Sequence, residues 1–188
     1  MSQTRVPFQF IGNDTALDFV NTLVAYKDAP LDLIPDAAKF DGWLKAAGIT
    51  PKRTFSMDEM QAIYGLRTAM KAVFDARMSD KTPSAQDIAT IDAYVASYTP
   101  NLQLTYVNKT FTLRPRDEEL EPHAILGKLA QMAAELLASV ADGTLKNCSN
   151  PECVLVYKDT SRGSKRRWCS MKTCGNRAKV AAFRDGLS

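Results

Sequence analysis

The 188 residues, 45% hydrophobic and 24% charged, suffice for one domain with a sizeable core plus a small appended module, and they exclude a disordered or fibrous chain. The net charge of +3 is unevenly split: residues 1–145 carry 14 Lys/Arg against 18 Asp/Glu, a net of −4, while residues 146–188 carry 10 against 3, a net of +7. No secretory leader pattern opens the sequence, and the longest apolar-rich stretch, AILGKLAQMAAELLASVA, is broken by Lys128, Gln131 and Glu135, so a cytoplasmic chain with reduced thiols and no membrane span is expected.

In chain order, FQFIGN reads as a short strand ending at Gly12. NDTALDFVNTLVAY reads as a helix capped by Asn13 or Asp14, with Leu17, Val20 and Val24 on one face. PDAAKFDGWLKAAG gives a second helix, opened by Pro35-Asp36 and stopped by Gly48. The third has the strongest signal. Ser56 and Glu59 form a capping box, and Met60, Ile63, Leu66, Met70, Val73 and Phe74 follow at helical spacing. Ser84 caps a fourth helix over SAQDIATIDAYVASY. The period then changes to two: LQLTYV, the turn pair Asn108-Lys109 and TFTLR predict a hairpin, which the N-terminal strand could join. A long helix follows from about Glu118 to Ala141. These residues, 1–145, predict a helix-rich α+β domain with a β-hairpin or small antiparallel sheet, and the boundary falls at DGTLKN, where charge and cysteine usage both change.

That first domain shows no nucleophile–base set and no phosphate-cradling glycine run, so it is not expected to be an enzyme, although one housed there is the weaker of the alternatives. His123 is the single histidine, and its place after Pro122 at a helix start suits a structural or solvent-facing role. In LDFVNT, Asp18 and Asn21 lie three apart on one helical face. They can make local hydrogen bonds or line a pocket for a small-molecule effector.

Residues 146–188 are more informative. All four cysteines fall between Cys148 and Arg177, as C-x4-C, fifteen residues, then C-x4-C. Two loops that each supply two thiolates satisfy the tetrahedral preference of zinc, so Cys148, Cys153, Cys169 and Cys174 are read as ligands of one structural Zn2+ in a closed site. Disulfides are the alternative; a C-x-x-C redox motif is absent.

Between the pairs, VLVYK and KRRWC read as the arms of a hairpin turning at DTSRGS, and CGNRAKVAAFRDG reads as a helix with Val180 and Phe183 inward and Gly186 at its end. Knuckle, hairpin and helix make a treble-clef-like zinc module. Arg162, Lys165, Arg166, Arg167, Lys172, Arg177, Lys179 and Arg184 concentrate positive charge on it, and Arg177 and Arg184, seven apart, nearly eclipse on one helical face. Such a surface suits double-stranded DNA. It also suits an acidic protein partner, which would make the chain a zinc-stabilised adaptor. Arg177 could instead support a zinc ligand, and Trp168 could pack in the core or contact a partner.

RRWCSMKTCGNRAK resembles the CGNR zinc finger, and GNDTALDFVNT resembles the start of the ABATE domain that precedes it in bacterial proteins. Together the two families would span nearly the whole chain. The resemblance implies a stress-response transcription regulator with zinc-dependent DNA binding, the same four cysteines as ligands, and no catalytic residue. Regulators that read palindromic sites are commonly dimers, so a homodimer is a further expectation.

Overall fold

The computed structural model describes residues 7–26, 29–116 and 119–186, and within them the chain is α+β, with six α-helices and three two-stranded antiparallel sheets. The order is α1 (Thr15–Val20), β1 (Leu23–Tyr26), β2 (Ala29–Asp32), α2 (Ala37–Ala46), α3 (Met57–Met78), α4 (Ala85–Ala96), β3 (Leu102–Val107), β4 (Thr110–Pro115), α5 (Pro122–Ser139), β5 (Leu145–Asn147), β6 (Val156–Lys158) and α6 (Asn176–Asp185). Among the described residues, no helix is long and apolar enough to cross a membrane.

Helix α3 forms as its sequence dictates. Ser56 Oγ accepts from Glu59 N, the Glu59 carboxylate accepts from Ser56 N at 2.7 Å, and the whole predicted stripe from Met60 to Phe74 is buried. Each such side chain contributes roughly 1.5–3 kcal/mol of burial. Around α3 the core closes with α1, α2, α4 and α5, and it includes the stacked rings of Phe40 and Trp43. Gly127 lets α4 and α5 approach closely, since a Cβ there would lie 2.4 Å from Tyr98 Cβ.

Several predicted elements differ. Residues 8–11 form no strand, because the N–H groups of Ile11 and Gly12 donate to Asp18 Oδ1, at 2.9 and 2.7 Å, instead of to a neighbouring strand. Asp14 is the cap of α1, but the helix stops at Val20 and Val24 is buried on β1 instead. The stop is chemical. Thr22 Oγ1 donates back to Phe19 O at 2.7 Å, and the Asn21 side chain is committed elsewhere in the fold. The β3–β4 hairpin is present in the predicted register, without a third strand. The last long helix begins at Pro122, whose ring is pre-set for a helix start; the predicted start at Glu118 lies outside the described residues.

The tail is built into this body. Strand β5 runs across the boundary at residues 145 and 146, and Leu145 and Val156 join the main core. The hairpin expected between the cysteine pairs is displaced: β6 pairs with β5, on the other side of the first pair, and KRRWC is not a strand. The reason is Asp159. Its carboxylate accepts from Ser161 N at 2.9 Å, Arg166 N at 3.0 Å and Lys146 Nζ at 2.7 Å, which winds residues 159–166 into a loop rather than a hairpin turn. Burial works against its charge, yet those hydrogen bonds outweigh it and hold Asp159 well below the usual carboxylate range.

Candidate metal centre

Each cysteine pair is presented by a tight local structure. At the first, Cys148 N donates to Leu155 O at 3.0 Å and Cys153 N donates to Asn150 O at 2.9 Å, folding the C-x4-C segment into a knuckle between β5 and β6. At the second, residues Met171–Gly175 form a single π-helical turn that brings Cys174 back toward Cys169 and leads into α6. Ser149 N donates to Arg167 O at 2.8 Å and joins the two segments.

The four Sγ atoms lie within 4.8 Å of one another. Cys153 and Cys169 are separated by 3.7 Å, and Cys169 and Cys174 by 3.5 Å. A tetrahedral zinc with bonds of ~2.3 Å requires sulfur–sulfur edges of about 3.8 Å. A disulfide requires about 2.05 Å, and all four cysteines are free. The site therefore fits one zinc ion held by Cys148, Cys153, Cys169 and Cys174, with no position open for a catalytic water. Three of the four are buried and Cys153 is half-buried.

Neighbouring donors suit thiolate charge. Cys169 N points at Cys148 Sγ from 3.4 Å and Asn150 Nδ2 at Cys174 Sγ from 3.6 Å. Without a cation the thiols cannot all ionise together: the hydrogen bond shared by Cys153 and Cys169 holds the Cys153 thiol well below its usual value and pushes Cys169 up, and burial pushes Cys174 up. Zinc loading must then expel protons.

The centre is anchored to the helical body. Cys148, Cys169 and Cys174 share an apolar cluster with Val24, Leu33, Leu155 and Tyr157, so β1 and the segment after β2 contribute part of the module's core. Asn21 pairs with the backbone of Val156 in both directions, and Asn13 Nδ2 donates to Lys158 O at 3.0 Å.

Among the eight cations expected on the module's partner-facing surface, Arg166 belongs elsewhere. Its guanidinium lies 4.0 Å over the Tyr157 ring and donates to Trp168 O at 3.0 Å, Ile11 O at 2.9 Å and Cys169 O. It is a strut between the N-terminal segment and the second cysteine pair. The other seven, Arg162, Lys165, Arg167, Lys172, Arg177, Lys179 and Arg184, make no ion pair with any residue whose side chain the structure describes. Arg167 sits 5.1 Å over the Trp168 ring; Trp168 is half-buried and lines a surface groove with Phe10, Arg162 and Lys165.

Helix α6 stands out from the body. Val180 and Phe183, expected to face inward, are 50% and 69% exposed, because the cysteine cluster and the π turn, not the helix, complete the module's small core. Lys172, Arg177, Val180, Ala181 and Arg184 line one shallow groove along it. Arg177 does not reach a zinc ligand; Asn176 Nδ2 instead donates to Lys172 O at 3.2 Å and fastens the turn.

Asp18 and Asn21, read as making local hydrogen bonds or lining a pocket, both hydrogen-bond to backbone. Both are buried, Asp18 holding the Ile11–Gly12 backbone and Asn21 holding β6. Burial raises Asp18 to about 6, opposed by its bonds from Gly12 and Ile11. The cavity in this region lies beside them: about 760 Å³ between β1, β2, α3 and the first knuckle, lined by Leu23, Ala25, Pro30, Ala72 and Val154 together with Arg67. Arg67 is already bound bidentately to Asp32 and donates to Thr22 Oγ1 at 2.8 Å. His123 is exposed on the first turn of α5.

Sequence reasoning missed Asn150, Asp159 and the inward role of Arg166. An Asp-x-Ser turn signal at 159–161 was legible; the other two depend on contacts distant in the chain.

Residues 13–140 match the model of the ABATE family, described as "Putative stress-induced transcription regulator", and residues 144–185 match that of the CGNR zinc finger. No curated protein matches the chain.

Proposed function

The chain belongs to the ABATE family and carries a CGNR zinc finger, and on that premise we propose that it is a cytoplasmic, non-catalytic transcription regulator that binds double-stranded DNA through residues 146–188. The observation that carries this reading is the exposed helix α6, presented by a four-cysteine site, whose groove carries Lys172, Arg177 and Arg184 without acidic partners among the described residues. An α-helix fits the major groove, and a bidentate arginine suits guanine there. Arg162, Lys165 and Arg167 extend the positive surface toward phosphates. A zinc centre with four thiolates is formally −2, but it is largely buried.

The cavity between β1, β2, α3 and the first knuckle supports an effector-sensing role for the helical domain. Its walls are mostly apolar; of the charged residues that line it, Arg67 is paired with Asp32, Lys71 with Asp75, and Glu152 is exposed, so a largely apolar effector suits it. Val154 of the knuckle lines it, so an occupant would touch both the domain and the zinc centre.

The test is selection of bound duplexes from a random pool by the zinc-loaded chain and by the chelated chain. Enrichment by the loaded chain alone is expected. If the loaded chain retains no duplex, the basic surface belongs to an acidic protein partner instead.

A further inference from the structure

The β3–β4 hairpin is amphipathic the wrong way round for a monomer. Its register pairs Leu104 with Leu113 and Tyr106 with Phe111 on one face, which Leu102 shares, and Gln103 with Arg114, Thr105 with Thr112 and Val107 with Thr110 on the other. Directly opposed residues of an antiparallel pair share a face, so the first set is a continuous apolar stripe. Yet the polar Gln103 and Thr105 are the half-buried ones, while Leu104, Tyr106, Phe111 and Leu113 are 65%, 60%, 67% and 65% exposed. The Tyr106 and Phe111 rings pack on each other at 4.5 Å.

This arrangement is costly in water. A lone two-stranded hairpin is marginally stable at best, and an exposed apolar patch of this size marks an interface. Both edges of the sheet are also unpaired among the described residues.

We infer that the apolar face of β3–β4 is a homodimer interface, in which two copies pack this face on itself about a two-fold axis. At about 200 Å² for a large apolar side chain, the five exposed residues including Leu102 offer roughly 500–600 Å² per protomer, most of the ~800 Å² per partner that a standard stable interface buries. The face is suited to meeting a copy of itself. It carries no charge that a two-fold axis would set against its own image, and it has a leucine–aromatic–leucine centre whose rings can stack across the axis. Gln103, Thr105 and Arg114 lie on the opposite face, so polar groups stay out of the contact. This goes beyond the DNA reading and does not depend on it.

Sedimentation velocity of the full zinc-loaded chain without DNA is the test. A monomer–dimer equilibrium in the micromolar range is expected, and Leu104→Glu together with Phe111→Glu should shift it at least a hundredfold toward monomer while the helical far-UV signal is kept, since the hairpin face is outside both apolar clusters. Hydrogen exchange of residues 102–115 in the wild type should slow with rising protein concentration. A wild type that stays monomeric at hundreds of micromolar, or a dimer that survives both substitutions with exchange in 102–115 independent of concentration, would overturn the proposal. A monomer that binds phosphatidylcholine vesicles and loses that binding in the double variant would overturn it too and assign the face to a lipid surface.

Discussion

The Asn21 side chain replaces a β-strand for Val156: its Nδ2 donates to Val156 O and its Oδ1 accepts from Val156 N, both at 2.9 Å and both buried. One residue at the end of α1 thus satisfies the backbone of the strand that leaves the first zinc knuckle. Its removal leaves a buried donor and a buried acceptor unmade. Asn21→Ala is expected to cost on the order of 2–4 kcal/mol in urea unfolding and to speed zinc release to a chromogenic chelator. Asn21→Asp should fare no better, because a carboxylate oxygen would then face Val156 O. An alanine variant as stable as wild type would show that the contact does not tie the two parts together.

The metal prediction follows from the sulfur positions. Purified reduced protein should hold about one zinc per chain, with four sulfur neighbours at ~2.3 Å by X-ray absorption. Cys169→Ser should loosen the knuckles and α6 while α3, α4 and α5 keep their helical signal, since Cys169 sits in the smaller apolar cluster and not in the main core. Structural zinc contributes on the order of 10 kcal/mol to such modules, so chelation should give a separate early unfolding transition.

Asp18 supplies a pH signature. Its folded pKa, about 6, lies above the ordinary carboxylate value of 3.8 because of burial. The folded chain therefore binds more protons than the unfolded one between those values, and this group's contribution is full below pH ~4 and falls as pH rises through 6. Asp18→Asn keeps the acceptor for Ile11 N and Gly12 N without the buried charge. The stability difference, variant minus wild type, should grow in the variant's favour from pH 4 to pH 7, by on the order of 2 kcal/mol, and then level off. A difference that is flat across this range, in urea titrations at matched ionic strength, would contradict it.

Arg166 and Arg167 are adjacent and should behave oppositely. Arg166→Ala removes three carbonyl contacts and a cation–π pair, so it should destabilise the module by roughly 1–3 kcal/mol. Arg167 is exposed, so Arg167→Ala should leave the melting temperature nearly unchanged and weaken duplex binding instead.

What the sequence alone discloses depends on the range of the interaction. The capping box of α3, its six-residue stripe, the Ser84 cap of α4 and the β3–β4 register depend on neighbours within a few residues, and they form as expected. The four zinc ligands were legible for the same reason, since their spacing is local. Leu17, Val20 and Val24 fit a helical period, but the chain leaves the helix at Asn21 because that side chain bonds 135 residues away. Asp18 is the local counterpart: of its two readings, local hydrogen bonds or a pocket, the first is met by Ile11 N and Gly12 N, seven and six residues away. Val180 and Phe183 have core-like spacing on α6 and no core to face, because the cysteine cluster takes that place.

The most direct measurement of the central claim, that the zinc module grips DNA through its unpaired cations, is the salt dependence of duplex affinity for the zinc-loaded chain. Log K should fall linearly with log salt, with a slope of roughly −3 to −5 for three to six phosphate contacts, and Arg162→Ala with Arg167→Ala should reduce its magnitude by roughly 1 to 2 for every duplex tested. Arg177→Ala or Arg184→Ala should instead cost roughly 1–3 kcal/mol at a single base pair where a guanine is read. A zinc-loaded wild type that binds no duplex, or binds with a slope indistinguishable from zero, would contradict the account.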